Sequence, residues 1–252
     1  MLSEQQVQTY RQDGFLSGIQ VMTEKELRHY RDSFDALEAN EGRESAQIGL
    51  FERHLDQQFI WEIATHPKIL DSVAAIIGPN VLLLGTHFFC KYGQEQKFVA
   101  WHQDLRYWGL DPQIEVTAWY AVDDSDRDNG CMRVIPGRHR DGFLEHSKSE
   151  QQGNLLSTNQ EIKLTESDEK NAVDCILRAG EISLHDGMLV HGSLPNRSGR
   201  RRCGLSIRYI PTQVKSIVTN PLGTDWKWRP ILVMGEDRET NFGLNRSPFP
   251  AT

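Results

Sequence analysis

The signals for helix and strand are segregated along this chain, nearly all helix before residue 80 and nearly all strand after it. Residues 3–13 read as a first helix, with Ser3 as N-cap, Glu4, Gln5 and Gln6 in the first turn, and Gly14 as the stop. Phe15-Leu16 then enters a short extended piece. Thr23-Glu24-Lys25-Glu26 is a capping-box pattern, and Leu27, Tyr30, Phe34 and Leu37 recur at helical spacing to about Ala39. Residues 40–49 are polar and read as loop, while 57–64 and 67–77 read as two more helices, the second stopping at Gly78-Pro79. From Val81 onward come runs rich in β-branched and aromatic residues: 81–89, 115–122, 132–135, 181–185, 189–190 and 204–210. This order predicts an α+β, mainly β chain, with a helical N-terminal part packed on an antiparallel sandwich.

At 252 residues the chain suits one domain, divided here into a helical part (1–80), a β core (81–215) and a C-terminal extension (216–252). Residues 145–174 are polar and low in aromatics, a long excursion of the kind that forms lids or disordered segments. No apolar run approaches the roughly 20 residues a membrane helix needs, and the polar start Met1-Leu2-Ser3-Glu4 lacks a secretory pattern. A cytoplasmic protein without membrane partners is expected. The net charge of −7 argues against general nucleic-acid binding, which needs clustered positive charge. Cys90, Cys131, Cys175 and Cys203 are scattered and read as reduced, partly buried thiols.

The chemistry is concentrated in Trp101-His102-Gln103-Asp104 and, much later, Val190-His191-Gly192-Ser193. On an extended strand His102 and Asp104 share a face while Gln103 points away. A distant imidazole, His191, would complete a face of two nitrogens and one carboxylate oxygen, leaving the opposite positions of an octahedral metal open. Trp101, Leu105, Tyr107 and Trp108 supply bulk to shield such a site. His87 and His185 compete as ligands, but each reads better as a histidine satisfied by an ordinary hydrogen bond, with His185-Asp186 a pair to stand behind the ligands.

Several ordered blocks carry a resemblance. They are His102-Gln103-Asp104-Leu105-Arg106-Tyr107 with Pro112, Thr117-Ala118-Trp119, the stretch from Asn129-Gly130-Cys131 through Pro136-Gly137-Arg138-His139, and His191-Gly192-Ser193 with Asn196 and Arg202. From about Phe89 to Tyr209 the chain closely resembles the phytanoyl-CoA dioxygenase (PhyH-like) family of iron(II)- and 2-oxoglutarate-dependent oxygenases. The resemblance implies a double-stranded β-helix, or cupin-like jelly roll, with the metal between its sheets. It implies iron(II) on His102, Asp104 and His191, and 2-oxoglutarate reaching Arg202, with Ser193 and Trp119 lining the same pocket. Arg200 and Arg201 adjoin Arg202, so a one-residue loop shift would exchange their roles; Arg200 shares strand parity with Arg202, and only spacing from His191 favours Arg202. Dioxygen is the implied co-substrate and ascorbate a candidate reductant.

Relatives that halogenate carry a small residue in place of the carboxylate ligand. Retention of Asp104 therefore implies hydroxylation of a C–H bond with release of succinate and carbon dioxide, desaturation or cyclisation being the alternatives. Arg106 shares strand parity with His102 and Asp104 and is a candidate for pairing an anionic substrate group. Tyr92, Lys97, Phe98, Tyr107, Trp108 and Arg133 are further candidates to border the pocket. Aromatic walls with positive heads suit a small polar or anionic metabolite, such as an amino acid, an aminophosphonate or a natural-product intermediate. Two other classes remain. A non-catalytic jelly-roll module would need the metal face but not Arg202, Ser193 and Trp119. A zinc hydrolase would accept the same ligands, yet no motif places a separate general base. The oligomeric state is open.

Overall fold

In the computed structural model residues 2–156, 158–217 and 227–249 are described, Tyr107 by its backbone alone. Helix α1 (Glu4–Asp13) begins where Gln6 N–H donates to Ser3 Oγ and Ser3 N–H donates back to Gln6 Oε1, and it stops at left-handed Gly14. Strand β1 (Phe15–Gln20) follows, the short extended piece that Phe15-Leu16 enters. Helix α2 (Glu24–Glu41) uses the Thr23/Glu26 capping box and buries Tyr30, Phe34 and Leu37. Helices α3 (Gln58–Ala64) and α4 (Pro67–Ile77) complete the N-terminal part, the latter opening with proline at its first turn, where a missing N–H costs nothing.

The remaining main strands are β2 (Val81–Lys91), β3 (Val99–His102), β4 (Val116–Ala121), β5 (Met132–Val134), β6 (Val173–Cys175), β7 (Glu181–Asp186), β8 (His191–Ser193), β9 (Arg202–Pro211) and β10 (Ile231–Met234). They form a six-stranded sheet in the order β1-β7-β4-β9-β2-β10 and a four-stranded sheet in the order β3-β8-β5-β6. Every pairing in them is antiparallel. The two sheets face one another as a jelly roll, and the larger draws an edge strand from each flank of the β core.

Side-chain alternation divides the large sheet. Cys203, Leu205, Ile207 and Tyr209 of β9 belong to the core shared with Tyr30, Phe34, Ile69 and Val73 of the helices. Each such large apolar side chain, fully buried, contributes roughly 1.5–3 kcal/mol, which is why the helices lie on this face. Arg202, Ser206 and Arg208, of opposite parity, line the space between the sheets. Strand β2 keeps this order only through a bulge: Tyr209 pairs with Leu83 but Arg208 with Gly85, so Leu84 is extra and His87, Phe89 and Lys91 turn inward.

Two local expectations are corrected. Leu189 and Val190 are not strand; Leu189 N–H closes a turn on the Asp186 carbonyl, and β8 starts at His191. Strand β3 ends at His102, and residues 104–107 form a 3-10 turn. The excursion at 145–174 is anchored by a short strand pair (Ser147–Lys148 with Gln160–Glu161), helix α5 (Glu166–Asn171) and the buried side chains Leu155 and Ile162. No helix among the described residues is long and apolar enough to cross a membrane.

Candidate metal centre and adjoining cavities

His102 closes β3 and His191 opens β8, directly opposite in the sheet register. Gln103 keeps extended angles (φ −121°, ψ 126°), so Asp104 returns to the side of His102 although it starts the 3-10 turn. Gln103 itself points away, its amide donating to the Gly142 and Met188 carbonyls. One donor atom from each of His102, Asp104 and His191 lies within 4.8 Å of the others. His102 Nε2 is 3.4 Å from Asp104 Oδ1, and the two imidazole centroids are 4.1 Å apart.

The tautomers are set by the chain itself. His102 Nδ1 is 2.8 Å from the Ala100 carbonyl, and His191 Nδ1 is 2.9 Å from the Leu189 carbonyl. A carbonyl can only accept, so each Nδ1 carries the proton and each Nε2 presents a lone pair inward. Burial lowers the His191 pKa well below its ordinary value, keeping it neutral. Burial alone would raise the Asp104 carboxyl, but the neighbouring imidazoles of His102 and His185 outweigh it and hold the group well below its usual range. Two imidazole Nε2 atoms and one carboxylate on a buried point fit a divalent transition ion.

Behind Asp104 lie Thr117, whose hydroxyl donates to Glu115 Oε1 at 2.7 Å, and Glu115, raised well above its usual pKa by burial and by the charge of Asp104. His185 departs from expectation. Neither ring nitrogen has a hydrogen-bond partner among the described residues, and Nε2 stands 3.8 Å from Asp104 Oδ2. His87 behaves as expected, Nε2 lying 2.8 Å from the Ile48 carbonyl.

One cavity opens from the three donors toward Trp119, Ser193 and Arg202. Arg202 is 2% exposed and donates from Nε and Nη2 to the Gly130 carbonyl at 3.1 and 2.6 Å. Its Cζ lies 5.2 Å from the Trp119 ring centre. Trp119 in turn lies over Gly204, where a Cβ would come within 1.9 Å of the indole. The neighbouring arginines are elsewhere: Arg200 is exposed on Asp126, and Arg201 pairs with Asp35, Glu38 and Asp123. Asn196 fixes this register, its amide donating to the Lys91 and Arg200 carbonyls.

Lys91, which sequence reasoning missed, pairs across strands with Arg202 and is fully buried. Its Nζ donates to Ser193 Oγ and the Leu194 carbonyl, both at 2.5 Å, and to the Gly130 carbonyl at 3.4 Å. Burial, then the nearby Arg202, lowers its pKa well below the usual value. Among the described residues neither side chain forms an ion pair with a carboxylate. Arg202, a buried cation without a counter-anion among the described residues and with the Lys91 donor beside it, makes this end of the cavity a receptor for an anion. A lysine closing a mostly apolar strand was a signal in the sequence, but its inward direction depends on the bulge at Leu84.

A second cavity, of about 290 Å³, adjoins His102 and Asp104 on another side and is bounded by Phe51, Glu52, His87, Trp108, Leu155, Leu156, Arg208 and Trp228, among others. Of the proposed substrate residues, Trp108 stands in this wall. Arg106 does not share the parity assumed for it, because residue 104 begins a 3-10 turn; it is exposed and lies over the Phe143 ring. Arg133 faces outward from β5, opposite to Met132, and pairs with Asp174 at 3.0 Å. Lys97 is exposed, Phe98 is half-buried and bridges to Asn154, and Tyr92 bonds to Glu38 away from the donors. The Tyr107 side chain lies outside the described residues.

The sequence model of the family described as Phytanoyl-CoA dioxygenase (PhyH) matches residues 10–204. The peroxisomal phytanoyl-CoA dioxygenase of Bos taurus is 24% identical, over 83% of this chain and 68% of that protein. Among solved structures, the apo form of ThoJ, a non-heme monooxygenase, is similar with a TM-score of 0.76 and 27% identity, covering 95% of this chain and 86% of its own. CytC3 with Fe(II) and alpha-ketoglutarate shares the fold, with a TM-score of 0.70 and 22% identity over 97% of this chain and 93% of its own.

Proposed function

This chain belongs to the phytanoyl-CoA dioxygenase family, and from that premise we propose that it is an iron(II)- and 2-oxoglutarate-dependent oxygenase with His102, Asp104 and His191 as the metal ligands. The observation that carries the proposal is the pair of Nε2 lone pairs, fixed by backbone carbonyls on Nδ1, converging with the Asp104 carboxylate between two sheets. When bound, iron(II) and 2-oxoglutarate supply the oxidising chemistry with dioxygen, and succinate and carbon dioxide are the co-products; ascorbate belongs to the proposal as a supporting reductant.

The protein's own part is binding, orientation and exclusion of water. Arg202 receives the far carboxylate of the cosubstrate with a planar set of donors that a lysine could not match. Trp119 walls that carboxylate and keeps the guanidinium in place. Ser193, its oxygen engaged by Lys91, turns its hydroxyl proton toward the pocket. Glu115, with its proton retained, adds no second negative charge beside Asp104. The substrate in this reading is a small polar or anionic metabolite hydroxylated at a C–H bond, and the compartment is the cytoplasm.

The test is succinate release after oxygen is admitted to anaerobic protein, iron(II) and 2-oxoglutarate, with Asp104→Ala as the comparison. Release by wild type and none by the variant is expected; equal release by both would remove Asp104 from the ligand set.

A further inference from the structure

The 290 Å³ cavity beside His102 and Asp104 carries two charged side chains that the cosubstrate does not need. Arg208 sits on the inward face of β9, six residues beyond Arg202, which at about 3.3 Å per residue places their Cα atoms roughly 20 Å apart. Its Cζ lies 5.1 Å from the Trp108 ring centre, and its buried Nε has no hydrogen-bond partner. Glu52 is the other. Its carboxylate occupies the space above Gly85, where a Cβ would approach Oε1 to 2.4 Å, and Gly85 is the cross-strand partner of Arg208. Acid and base are thus neighbours on one wall, yet no ion pair joins them within 4 Å among the described residues.

Both are held at a cost. Glu52 adopts a left-handed backbone (φ 54°), and its carboxylate, though it takes a hydrogen bond from the Thr86 main chain, forms no ion pair among the described residues. Burial pushes its carboxyl up to about 7 in spite of Arg208. A strained residue bearing a half-buried acid with no ion-pair partner among the described residues is a feature to be explained by a ligand rather than by folding. A simple anion would find Arg208 but be opposed by Glu52, and a simple cation the reverse. A molecule carrying both charges satisfies each, while Phe51, Trp108, Leu155, Leu156 and Trp228 offer an apolar surface for its body.

We propose that this cavity is the substrate subsite for a zwitterionic metabolite of amino-acid type, its anionic group on Arg208 and its ammonium on Glu52. The proposal rests on the oxygenase reading and names the substrate class for it. It also replaces Arg106 and Arg133 as anion partners, since both face away from the cavity.

The experiment titrates protein loaded with Mn(II) and 2-oxoglutarate, by calorimetry, with the common L-amino acids and with their N-acetyl and carboxamide derivatives. Binding is expected for zwitterions with apolar side chains, each derivative being weaker by about tenfold or more, the size of a lost charge-assisted hydrogen bond. Arg208→Gln is expected to erase the penalty of the carboxamide and Glu52→Gln that of the N-acetyl form, while Arg208→Lys keeps the discrimination; thermal melting verifies that each variant is folded. N-acetyl derivatives binding as tightly as the zwitterions, or no panel member binding while 2-oxoglutarate still binds, would overturn the proposal. Failure of 2-oxoglutarate itself to bind would overturn the oxygenase reading and this proposal with it.

Discussion

Lys91 Nζ lies 2.5 Å from the hydroxyl oxygen of Ser193, joining the strand that carries Arg202's partner to the strand that begins with His191. Through this contact the two sheets meet at the end of the cavity where a carboxylate is received. Lys91→Met keeps the length of the side chain and removes its donors. We expect a loss of stability of about 1–3 kcal/mol from the three stranded acceptors, and a KM for 2-oxoglutarate raised about tenfold with kcat changed less. Urea melts and steady-state succinate release check the two parts; an unchanged KM would leave Lys91 a purely structural residue.

The three adjoining arginines give a second contrast. Arg202→Gln should weaken 2-oxoglutarate binding by about tenfold to 100-fold, the range for hydrogen bonds to a charged group. Arg200→Ala should leave it alone, because Arg200 is exposed on Asp126. Calorimetric titration of 2-oxoglutarate distinguishes them, and equal losses in both would contradict the register of β9.

Gly204 is a position where space alone decides. Gly204→Ala would put a methyl group into the Trp119 indole. The expected outcome is a destabilisation of about 1–3 kcal/mol, the usual penalty of overpacking, together with a raised KM for 2-oxoglutarate as the indole leaves Arg202. A melt and a KM that both match wild type would show that Trp119 does not form this wall.

Glu52 gives a pH-dependent prediction. Its folded pKa, about 7, lies above the ordinary 4.5. The folded state therefore holds an extra proton between these values, and the stabilisation present below pH 4.5 is lost as pH rises through 7. Glu52→Gln should be neutral near pH 4 and stabilising by about 1–3 kcal/mol at pH 8. Urea midpoints at the two pH values test this; a variant less stable at pH 8 would show that the carboxylate is paired.

Much of this was legible in the chain. Ser3, Thr23 and Gly78 mark helix ends by local hydrogen bonding and period-two alternation marks the strands, so helices and sheet could be placed, whereas Arg202 is assigned through the family resemblance and its spacing from His191. Arg106 and Arg133 could not be placed. The turn that begins at Asp104 is set by a tertiary bond, Leu105 N–H to the Gly187 carbonyl at 3.0 Å, which no local pattern announces. The inward turn of His87 and Lys91 depends on the bulge at Leu84, again a tertiary event. Arg208 shares parity with Arg202 and was within reach of period-two alternation, whereas Glu52 enters the cavity from a loop and has no sequence signal.

One metal ion is expected where the side chains of His102, Asp104 and His191 converge. Crystals grown anaerobically with iron(II) and 2-oxoglutarate, measured at the iron absorption edge, test it most directly. An anomalous peak is expected within bonding distance of His102 Nε2, an Asp104 carboxylate oxygen and His191 Nε2. A peak on His185 in place of His191, or ordered iron only at other residues, would contradict it.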